Sequence, residues 1–321
     1  MMTDENDVAI TMVAILGSML AGIGGLVLIQ TKTAGGDSRL LPNPTTEPSK
    51  RAYEIYALAY TPIWIAAFGC IVAFGLYEDF DKWSYMKVCV GLSLPFLLQP
   101  ILLPSAGSPG CPDEKRPLLE RYSFKANLWL AVYSFIGNYW YTHYFYSVLH
   151  AKYTMPAHRL NNVPLALYFA THFYFSTYHV FSNLLLRKVV TTYESGIARK
   201  ALYVAVVGTF AYFTAFMETL TISAYPHYTF EDRNMAYTVG SAFYGIYFIV
   251  SFPAFFVFDR DIDNNDEKSK EKKTTTTWDT IVSSCGYGMM IMILLDAVRL
   301  YLDVPLVVGS SEVICSISEG I

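Results

Sequence analysis

Long apolar runs separated by short polar connections dominate the pattern along the chain. A bilayer core of about 30 Å needs roughly 20 apolar residues in each helix that crosses it. Eight segments reach this length: 8–30, 53–77, 83–104, 125–149, 163–186, 200–223, 239–258 and 280–302. The pattern therefore predicts an all-α integral membrane protein, a polytopic bundle of about eight transmembrane helices.

The composition fits a membrane protein better than a water-soluble one. Of the 321 residues, 53% are hydrophobic and only 16% are charged, and the mean hydropathy is +0.32. A soluble globular domain has about 25% charged residues. The net charge of −4 gives no indication of nucleic-acid binding. No phosphate-binding loop, dinucleotide fingerprint or metal-ligand spacing is present, so we expect no cofactor and no metal. Protein partners are unknown at this stage.

The number of lysine and arginine residues alternates between high and low from one connection to the next. The connection after the first span has Lys32, Arg39, Lys50 and Arg51, whereas the next has Lys82 alone. The alternation continues through every later connection. By the positive-inside rule, the rich connections face the cytosol and both termini face the lumen or the exterior.

These boundaries predict the organisation of the chain. An N-terminal anchor helix and a cytosolic linker cover 1–52, and one membrane catalytic domain covers 53–304. A charged loop over 259–279 belongs to that domain and is expected in the cytosol. A short lumenal tail over 305–321 ends the chain.

Polar side chains recur at helical spacing inside two of the predicted spans. On the fifth span, spacings of four, three and four place four polar residues on one face: His172, Ser176, His179 and Asn183. A similar stripe runs along the fourth span: Asn127, Ser134, Asn138 and Thr142. Polar groups are costly at membrane depth, so the stripes predict a buried polar site walled by aromatic rings. The alternative for His179 and Asn183 is a bond to a neighbouring helix, worth about 1 kcal/mol.

Four ionisable groups on four spans fall at similar depths: His143, His172, Glu218 and Asp296. They can therefore converge on one pocket. Glu218 has no basic partner within its own span, and a carboxyl group in that setting is expected in its neutral, proton-donating form. Asp296 precedes Arg299 by three residues, which favours a structural ion pair. His143 lies among Trp140, Tyr141 and Tyr144, so an aromatic belt at the membrane interface is its alternative.

Several long runs of residues are similar to one known family. They are KANLWLAVYSFIGNYWYTHYFYSVLHAKYTMPAHRLNNVP, THFYFSTYHVFSN, YTPIWI, AFMETLTISAYPHYTFEDRNMAY and YGIYFIVSFPAFF. On these runs the chain resembles the cycloeucalenol cycloisomerases, the cyclopropyl sterol isomerases of sterol biosynthesis. The resemblance covers roughly residues 50–303. The anchor helix before Pro48 and the charged linker near Asp263 are departures from the family pattern.

The resemblance implies a cofactor-free intramolecular lyase of the isomerase class in the endoplasmic reticulum membrane. The expected partners are a cyclopropyl sterol substrate and the lipid bilayer. The implied reaction opens the 9β,19-cyclopropane ring of cycloeucalenol and gives obtusifoliol. Such a reaction needs an acid that protonates C19 and a base that removes the proton at C8.

Roles for individual residues are our hypotheses and do not come from the family name. We expect Glu218 to be the acid and either His172 or His143 to be the base. Aromatic faces can stabilise the cationic intermediate, and an asparagine, Asn138 or Asn162, can hold the sterol hydroxyl. The expected substrate-binding residues are Asn138, Trp140, Tyr141, Asn162, Tyr178 and His179.

Two other functions are alternatives to the isomerase. A proton-coupled transporter can use the same intramembrane Glu, Asp and His groups, although no paired repeats or broken helices are evident in the sequence. A sterol-binding membrane protein without catalytic activity is the second alternative.

Overall fold

The computed structural model describes residues 2–35, 37–223, 225–263 and 275–308. Most of the predicted lumenal tail and the centre of the predicted charged loop lie outside these ranges. Ten α-helices run through the described residues. They are α1 (Met2–Leu28), α2 (Pro48–Ala73), α3 (Lys82–Leu102), α4 (Tyr122–Ile136), α5 (Thr142–Leu149), α6 (Leu165–Thr192), α7 (Ile197–Ser223), α8 (Arg233–Met235), α9 (Ser241–Val257) and α10 (Thr277–Tyr301). Short 3₁₀ turns occur at Leu76–Asp79, Pro112–Glu114 and Leu118–Glu120.

The helical content confirms an all-α polytopic membrane protein. Among the described residues, six helical segments are long and apolar enough to cross a membrane: Val8–Leu28, Pro48–Ala73, Lys82–Leu102, Ile197–Thr221, Arg233–Val257 and Thr277–Tyr301. The predicted span 125–149 and all but the first two residues of the span 163–186 are also helical, but neither span is among these six. They carry the two polar stripes, which lowers their mean hydropathy.

Helix α6 is the central element of the bundle. It packs against α2, α3, α4, α7 and α9. The largest fully buried side chains come from several of these helices and are mainly aromatic, including Trp129, Tyr133, Phe173, Phe175 and Phe248. Helix α1 packs on α7 at the edge of the bundle, where Met12 lies against Tyr212 and Phe216. The polar stripes therefore lie inside the protein, where neighbouring helices shield them from lipid.

Two π-helical segments interrupt the α-helical geometry. Gly137–Tyr141 joins α4 to α5, and Ala236–Gly240 joins α8 to α9. Each π-helical turn holds more residues than an α-helical turn and changes the direction of the side chains that follow. Such segments are frequent at functional sites.

Two small sheets cover one end of the helices. Strands β1 (Lys152–Tyr153) and β4 (Tyr228–Thr229) pair antiparallel, and they join the connection after α5 to the connection after α7. Strands β2 (Arg159–Leu160) and β3 (Val163–Pro164) form a hairpin. Its two turn residues, Asn161 and Asn162, have φ values of 51° and 60°. Asparagine tolerates this left-handed conformation better than most residues, which explains the NN pair at the turn.

Buried ion pairs fix the opposite end of the bundle, which the sequence assigns to the cytosol. Lys125 at the start of α4 pairs with Asp259 just after α9. Arg116 bonds Asp113 at 2.8 Å and Asp263 at 3.0 Å. These contacts attach the connections on this side to the helix ends.

Candidate functional site

A cavity lies where α4, α5, α6, α7 and α9 meet next to the β1–β4 sheet. Its empty volume is about 610 Å³, including its open mouth. Sixteen residues line it: Ser134, Gly137, Asn138, Thr142, Phe145, Leu149, Tyr153, Thr171, Phe175, Glu218, Thr219, Tyr228, Phe230, Gly240, Tyr244 and Tyr247. The wall combines aromatic rings with a few polar groups, which is the usual lining of a ligand-binding site.

Glu218 provides the carboxyl group of the cavity. The Tyr244 hydroxyl donates a hydrogen bond to Glu218 Oε2 at 2.9 Å, and Tyr178 also interacts with this carboxyl. Among the described residues that line the cavity, no histidine, lysine or arginine is present. Glu218 therefore has phenol partners rather than an ionic one. Such a carboxyl group can give a proton to a substrate in the cavity.

The two π-helical segments shape the wall around this carboxyl group. The first contributes Gly137 and Asn138, and the second ends at Gly240. A Cβ atom at Gly240 would lie 3.0 Å from Leu149 Cδ1, so a larger side chain does not fit without displacing Leu149. Asn138 donates through its Nδ2 to Ser134 O at 2.9 Å and to Thr171 Oγ1 at 2.7 Å.

Aromatic side chains form the apolar part of the wall. Tyr247 lies 5.1 Å from Tyr244 and 6.2 Å from Phe145 between ring centroids, and Phe175 lies 6.4 Å from Tyr247. Ring faces of this kind attract a cation through their quadrupoles. The wall therefore offers an apolar surface that can stabilise positive charge on a bound molecule.

Helix α6 directs one row of side chains towards this cavity. Thr171 and Phe175 line it, and Tyr178 interacts with Glu218. The three residues are spaced four and three apart, so they lie on one helical face. The predicted stripe beginning at His172 starts one residue later, about 100° around the helix, and faces other helices instead.

The structure does not bring the four predicted ionisable groups to one cavity. Glu218 lines it, whereas His172 Nε2 lies 3.0 Å from Asn127 Oδ1 between α6 and α4. His143 is fully buried beside the rings of Trp140 and Tyr146. Neither histidine is among the lining residues. Each follows a residue that does line the cavity, and one step along a helix turns the side chain away from it.

Asp296 also lies away from the cavity. Arg299 Nη2 is 2.7 Å from Asp296 Oδ1, so the two residues form an ion pair within α10. The i, i+3 spacing places both side chains on the same side of the helix.

His179 and Asn183 take part in packing between helices. His179 Nδ1 lies 2.8 Å from Phe175 O, and its Nε2 lies 2.9 Å from Ser251 Oγ on α9. Asn183 donates to Glu54 Oε1 at 2.8 Å. These contacts match the alternative that the sequence left open for both residues, a bond to a neighbouring helix.

Sequence reasoning missed the charged continuation of this stripe. Arg187 follows Asn183 by four residues and makes two bonds to Glu54, at 2.8 and 2.7 Å. Glu54 is fully buried at the start of α2. The signal was present, because the spacing of four places Arg187 on the face of His179 and Asn183, and such a charge needs an acidic partner.

In addition to His179, three predicted substrate-binding residues lie away from the cavity wall. Trp140 is 40% exposed at the surface of the bundle. The Tyr141 hydroxyl donates to Gly288 O on α10 at 2.5 Å. The carbonyl oxygen of Asn162 accepts bonds from Tyr146 and Arg159 in the hairpin region. Asn138 lines the cavity, and Tyr178 reaches its carboxyl group, so two of the six predicted residues lie at this site.

Four lining tyrosines were not predicted from the sequence: Tyr153, Tyr228, Tyr244 and Tyr247. Tyr244 lies in an aromatic run where no polar spacing distinguishes it, and Tyr153 and Tyr228 lie in connections between spans. Their positions depend on the pairing of β1 with β4, which residues distant in sequence determine. In the part of the chain that the structure describes, no group of three or more His, Cys, Asp or Glu residues is arranged to hold a metal ion.

No protein-family model and no solved structure matches the chain. It is 39% identical over 280 residues to cycloeucalenol cycloisomerase of Arabidopsis thaliana. The alignment covers 85% of this chain and 92% of that relative. These proportions exclude a match confined to one segment of either protein.

Proposed function

Because this chain belongs to the cycloeucalenol cycloisomerase family, we propose that it opens the 9β,19-cyclopropane ring of cycloeucalenol to give obtusifoliol. The observation that carries the proposal is the position of Glu218. Its carboxyl group faces an aromatic cavity inside a membrane bundle and has tyrosine partners. A sterol substrate is apolar and rigid, and its isomerisation needs a proton donor placed against the ring carbon.

The first step is proton transfer from Glu218 to C19. The electron pair of the C9–C19 bond forms the new C19–H bond, and positive charge is left at C9. Tyr244 donates to Glu218 Oε2 at 2.9 Å, and this bond stabilises the carboxylate that the transfer leaves behind. Tyr247, Phe145 and Phe175 provide ring faces for the cation.

The second step removes the proton at C8 and forms the C8–C9 double bond. His172 and His143, the bases that the sequence favoured, are not on the cavity wall. We assign this step to the carboxylate of Glu218 itself, which regains the proton it gave up. The proton lost at C8 balances the proton added at C19, so the reaction needs no oxidant or other co-reactant. One carboxyl group can serve both steps if C19 and the departing hydrogen lie on the same face of the sterol.

The proposal also covers the membrane in which the protein lies. The protein is a multi-pass membrane protein, and we place it in the endoplasmic reticulum membrane with both termini in the lumen. Glu218 lies five residues before the end of α7 at Ser223, about 7.5 Å along the helix axis. The carboxyl group then lies in the lumenal half of the bilayer. It is deeper in the membrane than the lumenal interface, where sterol hydroxyl groups lie.

Conversion of substrate tests the proposal. Microsomes from a heterologous host that produces the chain are incubated with cycloeucalenol and, separately, with cycloartenol, and the sterols are analysed. Host microsomes without the chain are the control. We expect the ring-opened Δ8-sterol from cycloeucalenol. Absence of a ring-opened product from both substrates, with the protein present in the membranes, would contradict the proposed isomerase activity.

A further inference from the structure

Two tyrosines line the cavity where the β1–β4 sheet borders it. Tyr153 and Tyr228 are direct partners across the two strands, and both line the cavity. Their rings are stacked with centroids 4.3 Å apart and an interplanar angle of 20°. Phe230 packs edge-on against Tyr228 at 4.7 Å and also lines the cavity. Cross-strand pairing and stacking thus hold the two phenol groups side by side.

The hydroxyl groups of this pair have the bonding capacity that an alcohol needs. The two hydroxyls interact with each other. Each phenol has one donor and two acceptor positions, so the pair keeps one donor and further acceptors for a ligand after this interaction. Burial raises the pKa of both Tyr153 and Tyr228 well above the usual value for tyrosine. The pair therefore stays neutral and keeps its donor throughout the physiological pH range.

The pair lies at a suitable depth relative to Glu218. Strand β4 follows the end of α7, whereas Glu218 lies about 7.5 Å before that end. Glu218 is also close enough to interact electrostatically with Tyr153 and Tyr228. In a sterol, the 3-hydroxyl oxygen and C19 are attached to C3 and C10, opposite atoms of the same six-membered ring, so only a few ångströms separate them. A sterol with C19 at Glu218 can therefore direct its hydroxyl group to the pair.

We propose that the Tyr153–Tyr228 pair binds the 3-hydroxyl group of the sterol and thereby sets the position of C19 against Glu218. This inference rests on the proposed function and identifies the polar subsite of the same cavity. The two asparagines that the sequence favoured are placed less well. Asn162 is not on the cavity wall. The side-chain amide nitrogen of Asn138 already donates hydrogen bonds to Ser134 O and Thr171 Oγ1.

The test combines changes in the protein with a change in the substrate. Tyr153→Phe, Tyr228→Phe and the double variant keep the stacked rings and remove the hydroxyl groups. Each is assayed with the cyclopropyl sterol and with its 3-deoxy analogue, which has the same ring system. Tyr203→Phe is the matched control, because Tyr203 is on α7 but not on the cavity wall.

With the wild-type protein, we expect kcat/KM to be at least about tenfold lower for the 3-deoxy analogue, because a buried hydroxyl partner is left unpaired. In the double variant, the two substrates should differ by less than about threefold, and each single variant should lie in between. Tyr203→Phe should keep the wild-type ratio. The single variants carry the test if the double variant does not fold.

Two results would overturn the subsite. One is a wild-type protein that converts both substrates equally well. The other is a wild-type ratio that persists in folded Tyr153→Phe and Tyr228→Phe proteins. In both results the wild-type protein still opens the cyclopropane ring. If the proposed function itself is wrong, the wild-type protein opens the ring of neither substrate, and the subsite is overturned as well.

Discussion

Helix α6 has two polar faces that differ in what their side chains contact. Thr171 and Phe175 border the cavity, and Tyr178 interacts with Glu218. On the other face, His172 contacts Asn127, and His179 contacts Ser251. The second face has more polar groups at a regular spacing, but these groups already form hydrogen bonds with other protein atoms. The first face has fewer polar groups, and it is open to a ligand.

The difference shows why polarity at membrane depth is an incomplete guide to function. A buried polar group needs a partner, and neighbouring helices can supply one as well as a substrate can. The packing face ends in the buried Glu54–Arg187 pair, with Asn183 as a further partner of Glu54. We therefore assign the packing face to assembly of the bundle and the cavity face to chemistry.

The largest effect on folding should come from breaking the ion pair at the end of the packing face. Glu54→Gln leaves the buried guanidinium of Arg187 without a carboxylate. Loss of one partner from a buried pair typically costs about 3–5 kcal/mol. We expect a large decrease in folded protein and in Tm in detergent, with turnover per folded molecule close to wild type. Glu194→Gln, at an exposed position in the connection between α6 and α7, is the control with the same loss of a negative charge.

If Glu54→Gln instead lowered turnover per folded molecule while Tm stayed unchanged, the packing face would have a direct part in catalysis. The assignment of the two faces would then be wrong.

A smaller effect, on the cavity side, is expected from Gly240→Ala. The new Cβ atom would lie 3.0 Å from Leu149 Cδ1, and Leu149 is itself part of the wall. The displaced leucine narrows the cavity, and overpacking of this kind costs about 1–3 kcal/mol. We expect kcat/KM to fall between about fivefold and a hundredfold. Gly208→Ala on α7, where nothing lies within 4 Å of the new Cβ, is the matched control. Equal kinetics for the two variants would argue against this cavity as the substrate site.

The smallest effect is expected from His179→Gln. The change disturbs the contact with Ser251 and leaves the aromatic surroundings in place. Polar contacts between membrane helices contribute about 1 kcal/mol on average. We expect a decrease in Tm in detergent of a few degrees and unchanged turnover per folded molecule. A loss of turnover at constant Tm would restore His179 as a substrate-binding residue.

Much of the fold could be predicted from the sequence, because long, mainly apolar segments indicate most of the helices. The stripe on α6 could also be predicted, since a spacing of four, three and four requires no knowledge of the neighbours. The function of each face could not. Thr171 and His172 are adjacent in the chain, and the positions of α7, α4 and α9 around α6 decide which of them borders a cavity.

Glu218 was identifiable because a carboxyl group without a basic partner in its own span is unusual. Its partner Tyr244 and the Tyr153–Tyr228 pair were not. Tyr244 is one of 25 tyrosines in an aromatic-rich chain, and nothing local distinguishes it. The pair forms through the β1–β4 register, which joins residues 75 positions apart, 228 minus 153. Two π-helical segments add local changes of direction that a regular helical wheel does not include.

The central claim is that Glu218, and not a histidine, performs the chemistry. The direct measurement is turnover of cycloeucalenol per folded molecule for Glu218→Gln, His172→Gln and His143→Gln, in membranes with matched amounts of protein. General acid catalysis contributes about 10²–10⁴ in rate. We predict a loss of at least about a hundredfold for Glu218→Gln and a change within about threefold for the two histidine variants. Turnover by Glu218→Gln within a few-fold of wild type, or a loss confined to a histidine variant, would contradict the account.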